Sequence, residues 1–308
     1  MIEIRLTMTQ TCIAAFYKFT PLKRLKALRA ELLDFCNARG IRGTILIGHE
    51  GINSTVAGEE KNINALLSHL RKCKEFQGLE AKFSYSNKSP FHRMKVRIKK
   101  EIVTLGVTGI NPAKLTGRRV TAAEWNALIS DPGVVVLDTR NTYETRVGSF
   151  RGAIDPGIKT FRDFPQFVKS HLDPDKHKRI AMFCTGGIRC EKAAAWMLAE
   201  GFEEVSQLDG GILKYIEETP EGESLWRGDC FVFDHRVGVD EALAPGGYEM
   251  CPSCRWPVTK EDQKHADYEQ GVSCPHCRKD LSQAKLSSSR ERHRQIKLAE
   301  KRGTKHLG

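Results

Sequence analysis

The chain has 308 residues, 40% of them hydrophobic and 28% charged, which is ordinary for a soluble protein of two or three domains. No apolar run approaches the ~20 residues that span a bilayer, and the amino terminus lacks a basic-then-apolar signal pattern, so no membrane partner and a cytoplasmic location are expected. A net charge of +11 argues for a polyanionic partner, nucleic acid first, and ten cysteines in such a chain argue for metal binding or catalysis over disulfides.

Residues 1–11 are weakly patterned and are expected to form a flexible amino terminus. Cys12 to Phe19 is a β-prone run, and Pro21 opens an amphipathic stretch with Leu22, Leu25, Leu28, Leu32, Leu33 and Cys36 at helical spacing. Thr44–Ile47 and Ile52–Ala57 read as strands joined by a turn, Glu59–Cys73 as a helix and Ala81–Tyr85 as another strand. This order is the ferredoxin-like pattern and sets an α+β domain over residues 12–108. The polar turn His49–Asn53 either faces a ligand or is simply solvated.

In Met94–Lys100 the apolar Met94, Val96 and Ile98 alternate with Lys95, Arg97 and Lys99, so one strand face is expected to be buried and the other to carry three cations, with Lys88 and Arg93 upstream. That face is either a phosphate-contacting stripe for RNA or a solvated strand face. Ile102–Val107 is expected to continue extended, and residues 109–120, with Asn111-Pro112 and two glycines, to be a linker.

A second domain, residues 121–228, opens at Thr121, whose hydroxyl and Glu124 make a capping box. Strands at Val134, near Ala153, at Ile180 and at Val205 alternate with helical stretches, as in a small α/β domain with its site at the strands' carboxyl ends. The centre is Arg179–Leu198. A buried strand, Ile180–Phe183, leads into a loop that starts at Cys184, passes Thr185, Gly186, Gly187 and Ile188 and ends at Arg189; an Ala-rich helix is expected over Glu191–Leu198.

Inward-facing amides and a helix start stabilise an anion in such a loop, the glycines allow the backbone angles it needs, and Arg189 adds a permanent cation. Cys184 is therefore expected to have a lowered pKa and to act as a nucleophile. A buried structural cysteine is the alternative. Cys190 follows Arg189 and is either a resolving thiol for Cys184 or a small residue packed on the sheet; Cys230, in D-C-F-V-F-D, reads as a structural strand residue.

With four residues between Cys184 and Arg189, the loop is shorter than that of cysteine-dependent phosphatases and suits a persulfide sulfur. It resembles the rhodanese superfamily, as do V-V-V-L-D-T-R (Val134–Arg140), Glu144, G-S-F-R-G-A-I (Gly148–Ile154) and Q-L-D-G-G-I (Gln207–Ile212). The resemblance implies that Asp138 and Arg140 lock loops together and perform no chemistry.

Residues 229–284 hold Cys251-x-x-Cys254 and Cys274-x-x-Cys277, two knuckles able to share one tetrahedral ion; zinc in a structural role fits best, with His276 a bystander. The tail, residues 285–308, carries Lys285, Arg290, Arg292, Arg294, Lys297, Lys301, Arg302 and Lys305 against Glu291 and Glu300, more than half of the chain's excess of eleven. It is either a phosphate-binding segment or a solvated terminal helix, and it has no aromatics for base stacking.

The chain thus combines α/β and α+β architecture: a ferredoxin-like front domain, a rhodanese-like centre, a small Cys-rich zinc-type module and a basic tail. With E-G-I-N, C-T-G-G-I-R-C-E-K and C-F-V-F-D in this order, it resembles the bacterial tRNA uridine hydroxylase family from about Thr11 onward. The resemblance implies oxygen-dependent formation of 5-hydroxyuridine at the wobble position of tRNA, with molecular oxygen as co-substrate and Cys184 at the family's active cysteine. The residues themselves lead only to an activated thiolate on a polyanion-binding protein, which suits a sulfurtransferase equally, and a non-catalytic RNA adaptor is a third possibility. His265 and Asp267 form part of an iron triad at most, no glycine-rich dinucleotide fingerprint appears, and nothing in the sequence points to a protein partner.

Overall fold

The structure is a computed structural model that describes residues 10–87, 89–220, 222–234 and 236–304. The expected flexible terminus, except Gln10 and Thr11, together with Lys88 and Lys305, lies outside the described residues. The chain divides into two units, residues 1–142 with 152–225, and residues 143–151 with 226–308.

The front of the first unit runs β1 (Thr11–Phe19), α1 (Leu25–Asn37), β2 (Arg42–Gly48), β3 (Gly51–Gly58), α2 (Glu60–Arg71), β4 (Ala81–Ser86) and β5 (Met94–Ile98). The strands form one sheet in the order β4-β1-β3-β2-β5, with β5 parallel to β2 and the other pairs antiparallel. Period-2 alternation on β1 sends Cys12, Ala14 and Phe16 into a core with Leu32 and Cys36 of α1 and Ile63, Leu66 and Leu70 of α2. Tyr17 therefore points to the opposite face. Lys82 pairs in register with Ala15, so it shares the face of Tyr17. The expected burial of Ile98 fails: β5 ends the sheet as an edge strand, and Ile98 is 41% exposed. Ile102–Val107 forms no strand, yet Val103, Leu105 and Val107 pack on the core of the following domain.

That domain continues with β6 (Arg118–Val120), α3 (Ala122–Ser130) and β7 (Val135–Asp138), before the single turn α4 (Thr142–Thr145), of which Tyr143–Thr145 belong to the second unit. After β8 (Gly148–Phe150), which belongs to the second unit, come α5 (Phe164–His171), β9 (Arg179–Phe183), α6 (Ile188–Ala199), β10 (Glu204–Leu208) and α7 (Gly211–Glu218). A parallel sheet in the order β6-β10-β9-β7 puts β9 at an interior position. The Thr121–Glu124 capping box forms as the sequence predicts.

Three expectations change here. Arg118–Val120, inside the expected linker, is a strand, because β10 offers it a parallel edge. The strand expected near Ala153 is a single bridge between Ile154 and Leu137; the paired residues are Gly148–Phe150, which bond to Trp226–Gly228. Helix α6 starts at Ile188, not Glu191, because Gly187 at φ +101° supplies the left-handed turn that begins it.

The second unit contains β8, β11 (Trp226–Gly228), β12 (Cys230–Phe231), β13 (Gly238–Val239), β14 (Glu249–Met250), β15 (Pro257–Val258) and α8 (Gln283–Lys301). Its strands make three two-stranded ribbons, and Cys230 is fully buried in one of them. So little apolar area needs a further cross-link, and the four sulfurs of the paired cysteines gather at its second core beside Val258 and Leu281. The basic tail is helical from Gln283, with the Ser282 hydroxyl accepting from the Lys285 amide as N-cap.

Candidate active site

Strand β9 delivers Cys184 to the carboxyl edge of the parallel sheet, and the loop after it is held from three sides. The Cys184 and Thr185 carbonyls accept from the amides of Ile212 (3.0 Å) and Leu213 (3.2 Å) at the start of α7. Thr139, after β7, donates from both its amide and its hydroxyl to the Phe183 carbonyl, each at 3.0 Å. Arg140 grips Asp138 through Nε (2.9 Å) and Nη2 (2.6 Å), both residues fully buried, directly beside the end of β9. The loop's shape is thereby set by neighbours.

Within this frame the sulfur sits among donors. The Gly187 amide reaches Cys184 Sγ at 3.0 Å, and the amides of Arg189 and Cys190 and the Cys190 thiol also donate to it. Complete burial by itself would push the Cys184 thiol up, but the Cys190 thiol, the Arg189 guanidinium and the amides together hold it well below the ordinary thiol range. The opposite happens to Cys190. Burial, then the neighbouring thiolate, drives it well above that range. Cys190 is thus a protonated donor, steadied by Thr139 Oγ1 at 3.6 Å. Arg189, in the first turn of α6, reaches Thr185 Oγ1 at 3.4 Å, and α6 directs its amino-terminal partial positive charge at the sulfur.

The front domain supplies residues that the sequence does not single out. Tyr17 on β1 donates to Glu191 Oε1 at 2.8 Å, and Arg119 donates to the same oxygen at 2.6 Å. Burial raises the Glu191 carboxyl and, with the Glu191 charge added, raises the Tyr17 phenol far more. Lys82 on β4 donates to the carbonyls of Gly186 (2.9 Å) and Gly210. Lys192, 1% exposed, ion-pairs at 2.7 Å with both Glu50 and Glu101. Within the His49–Asn53 segment His49 is exposed, whereas Glu50 clamps α6 and Asn53, already in β3, donates to the Ile102 carbonyl. A partial signal for this lies in the sequence, since the charged Glu191 and Lys192 lead straight into the apolar run Ala193–Ala199.

The metal expectation is met by geometry. Sulfur separations are 3.8 Å for Cys251–Cys277, 3.5 Å for Cys254–Cys274 and 3.8 Å for Cys274–Cys277, and all four sulfurs lie within 4.8 Å of one another. A tetrahedron of ~2.3 Å zinc–thiolate bonds has edges of roughly 3.8 Å, so these residues fit zinc and could hold it with no position left for substrate. His276 faces Asp262 at 3.2 Å and Trp256, outside that set. His265 and Asp267 share a surface turn.

The expected RNA-contacting cations divide. Arg290 is held in a bidentate pair by Glu269 and Arg294 by Glu291, whereas Arg292, Lys297, Lys301 and Arg302 have no ion pair among the described residues. On β5, Arg97 is exposed and Lys95 half-buried, with Lys99 exposed just beyond. No helix among the described residues is long and apolar enough to cross a membrane.

Residues 11–102 match the model of the UPF0176 acylphosphatase-like domain and residues 121–218 that of the rhodanese-like domain. Among solved structures, a rhodanese-related protein from Thermoplasma volcanium aligns with 33% of this chain and 92% of its own at 29% identity and a TM-score of 0.27. Two curated relatives cover almost everything: one from Teredinibacter turnerae is 52% identical across 98% of this chain and 94% of its own, and one from Rhizobium leguminosarum is 53% identical across 96% of each. Both are named tRNA uridine(34) hydroxylase, and at that identity and coverage the chain belongs to the tRNA uridine(34) hydroxylase family.

Proposed function

We propose that this protein hydroxylates uridine 34 of tRNA at C5 in the cytoplasm, with molecular oxygen as co-substrate and Cys184 as the reacting sulfur. Near-full-length identity to curated hydroxylases supports the reaction, and the amide-ringed sulfur of Cys184 is the single observation that carries its placement. The reaction replaces the C5 hydrogen by hydroxyl. With dioxygen as oxidant, one oxygen atom enters the nucleoside and the other leaves as water, which consumes two electrons and two protons; the Cys184 thiol and an external thiol supply both on closing to a disulfide, which a further external thiol then reduces.

This chain's own residues then have distinct tasks. The Gly187, Arg189 and Cys190 donors hold negative charge on the sulfur or on an oxygen attached to it, Arg189 keeps the site cationic, and Asp138 with Arg140 fixes the loop. Zinc, held by Cys251, Cys254, Cys274 and Cys277, would serve to fold the second unit. The exposed cations Arg97, Lys99, Arg292, Lys297, Lys301 and Arg302 provide phosphate contacts, with Lys95, Arg290 and Arg294 contributing at their edges. A loop fitted to a persulfide favours transfer of sulfur to tRNA or to small acceptors as the second reading.

One experiment separates the two: nucleoside mass spectrometry of tRNA incubated with wild-type or Cys184→Ala protein under air and under nitrogen. Hydroxylation gives 5-hydroxyuridine only with wild type and only in air. Thiolated nucleosides formed under both gases would replace it by sulfur transfer, and full activity in Cys184→Ala would remove residue 184 from the chemistry.

A further inference from the structure

The Gly186–Gly187 peptide is a single planar unit with opposed ends. Its N–H, on Gly187, points at Cys184 Sγ at 3.0 Å, and its carbonyl, on Gly186, accepts from Lys82 Nζ at 2.9 Å. A peptide flanked by two glycines rotates with little steric resistance, since both permit either sign of φ. Rotating this one would turn the carbonyl oxygen towards the sulfur and replace a donor by a repelling dipole. The contact that opposes rotation comes from the front domain, more than a hundred residues away in the chain. The same ammonium also binds the Gly210 carbonyl, in the turn whose next residues pin the Cys184 and Thr185 carbonyls.

We propose that Lys82 is a positioning residue of the active site, its ammonium locking the Gly186–Gly187 peptide in the orientation that presents an N–H to Cys184, so that the ferredoxin-like domain completes the anion cradle of the rhodanese-like one. The proposal rests on Cys184 being the working thiolate. Three observations support it. Lys82 and Tyr17 share the sheet face turned away from α1 and α2, and Tyr17 Oη lies over Gly187, where an added Cβ would stand 2.8 Å from it. Burial lowers the Lys82 pKa while the charge on Cys184 raises it, so ammonium and thiolate feel one another. A salt-bridge partner for Lys82 is absent among the described residues; its donors go to main-chain oxygens, which is the arrangement that orients peptides.

The test is the titration of Cys184 by ultraviolet thiolate absorbance in the full chain, taken as the difference from a Cys184→Ser protein in each background. Lys82→Met should raise the midpoint by about one pH unit, roughly a tenfold loss in the thiolate-to-thiol ratio at a given pH, while Lys82→Arg, which keeps charge and donors, should restore most of it. Lys82→Gln serves the same comparison should the Met protein not fold. A Cys184 midpoint that stays at the wild-type value in both Lys82→Met and Lys82→Gln would overturn the proposal, as would an Arg variant displaced as far as Met, which would assign the effect to packing. A wild-type Cys184 that ionises only in the ordinary thiol range would instead overturn the reading of Cys184 itself.

Discussion

Gly211 stands against Cys184 so closely that a single added carbon would collide with the Cys184–Arg189 loop: a Cβ there would lie 2.4 Å from the Cys184 carbonyl oxygen, 2.8 Å from the Gly187 nitrogen and 2.9 Å from the Gly186 nitrogen. The residue also adopts φ +69°. Gly211→Ala is therefore expected to push the loop outward at a cost of about 1–3 kcal/mol, lowering the melting temperature and abolishing 5-hydroxyuridine formation. Gly186→Ala is the contrast. Its Cβ would meet nothing within 4 Å, so it should melt like wild type.

Ionisation of Cys184 ties stability to pH with a definite sign. Its folded pKa lies below the unfolded value, so the stabilisation is complete above the unfolded thiol range and is lost as pH falls through the folded pKa. The difference in melting temperature between wild type and Cys184→Ser should accordingly grow from acid to neutral pH and level off in alkali. A difference that is flat across this range would show a neutral thiol.

Cys190 donates to Cys184 and is itself held protonated, which favours a hydrogen-bonding role over that of a resolving thiol. Cys190→Ser keeps a donor and should retain most of the activity and the low Cys184 midpoint; Cys190→Ala should raise that midpoint. Equal loss of turnover in both variants, with the midpoint unchanged, would restore the resolving role.

Lys192 is enclosed by Glu50 and Glu101, and removing it leaves two carboxylates facing one another with little water. Lys192→Met should destabilise the first unit by about 3 kcal/mol, measured by urea unfolding. Burial alone would raise the Glu101 carboxyl, but Lys192 and the Leu105 and Gly106 amides hold it below its usual value. The wild-type advantage is thus complete above the ordinary carboxylate range and shrinks as pH falls through the lowered one.

Metal content gives an independent check on the second unit. Elemental analysis should find one zinc per chain, and removing it with a strong chelator should unfold residues around Cys251–Cys277 while the thiolate absorbance of Cys184 persists. Cys274→Ser should lower zinc occupancy and leave the same absorbance in place.

What the chain discloses by itself is local. The Cys184-to-Arg189 loop, the paired cysteines, the Thr121 cap and the helical spacing of Leu25, Leu28, Leu32 and Cys36 each depend on residues a few positions apart, and short separations translate directly into shared faces, turns and ligand geometry. Tertiary structure decided the rest. Arg118–Val120 became a strand only because β10 lay beside it, Ile98 stayed exposed because β5 had no further neighbour, and Glu50 found Lys192 only across two packed domains. Lys82 meets the Gly186 carbonyl and Tyr17 meets Glu191 for the same reason: which sheet face meets which loop is settled by burying many apolar residues at once, and no periodicity in the sequence records the outcome.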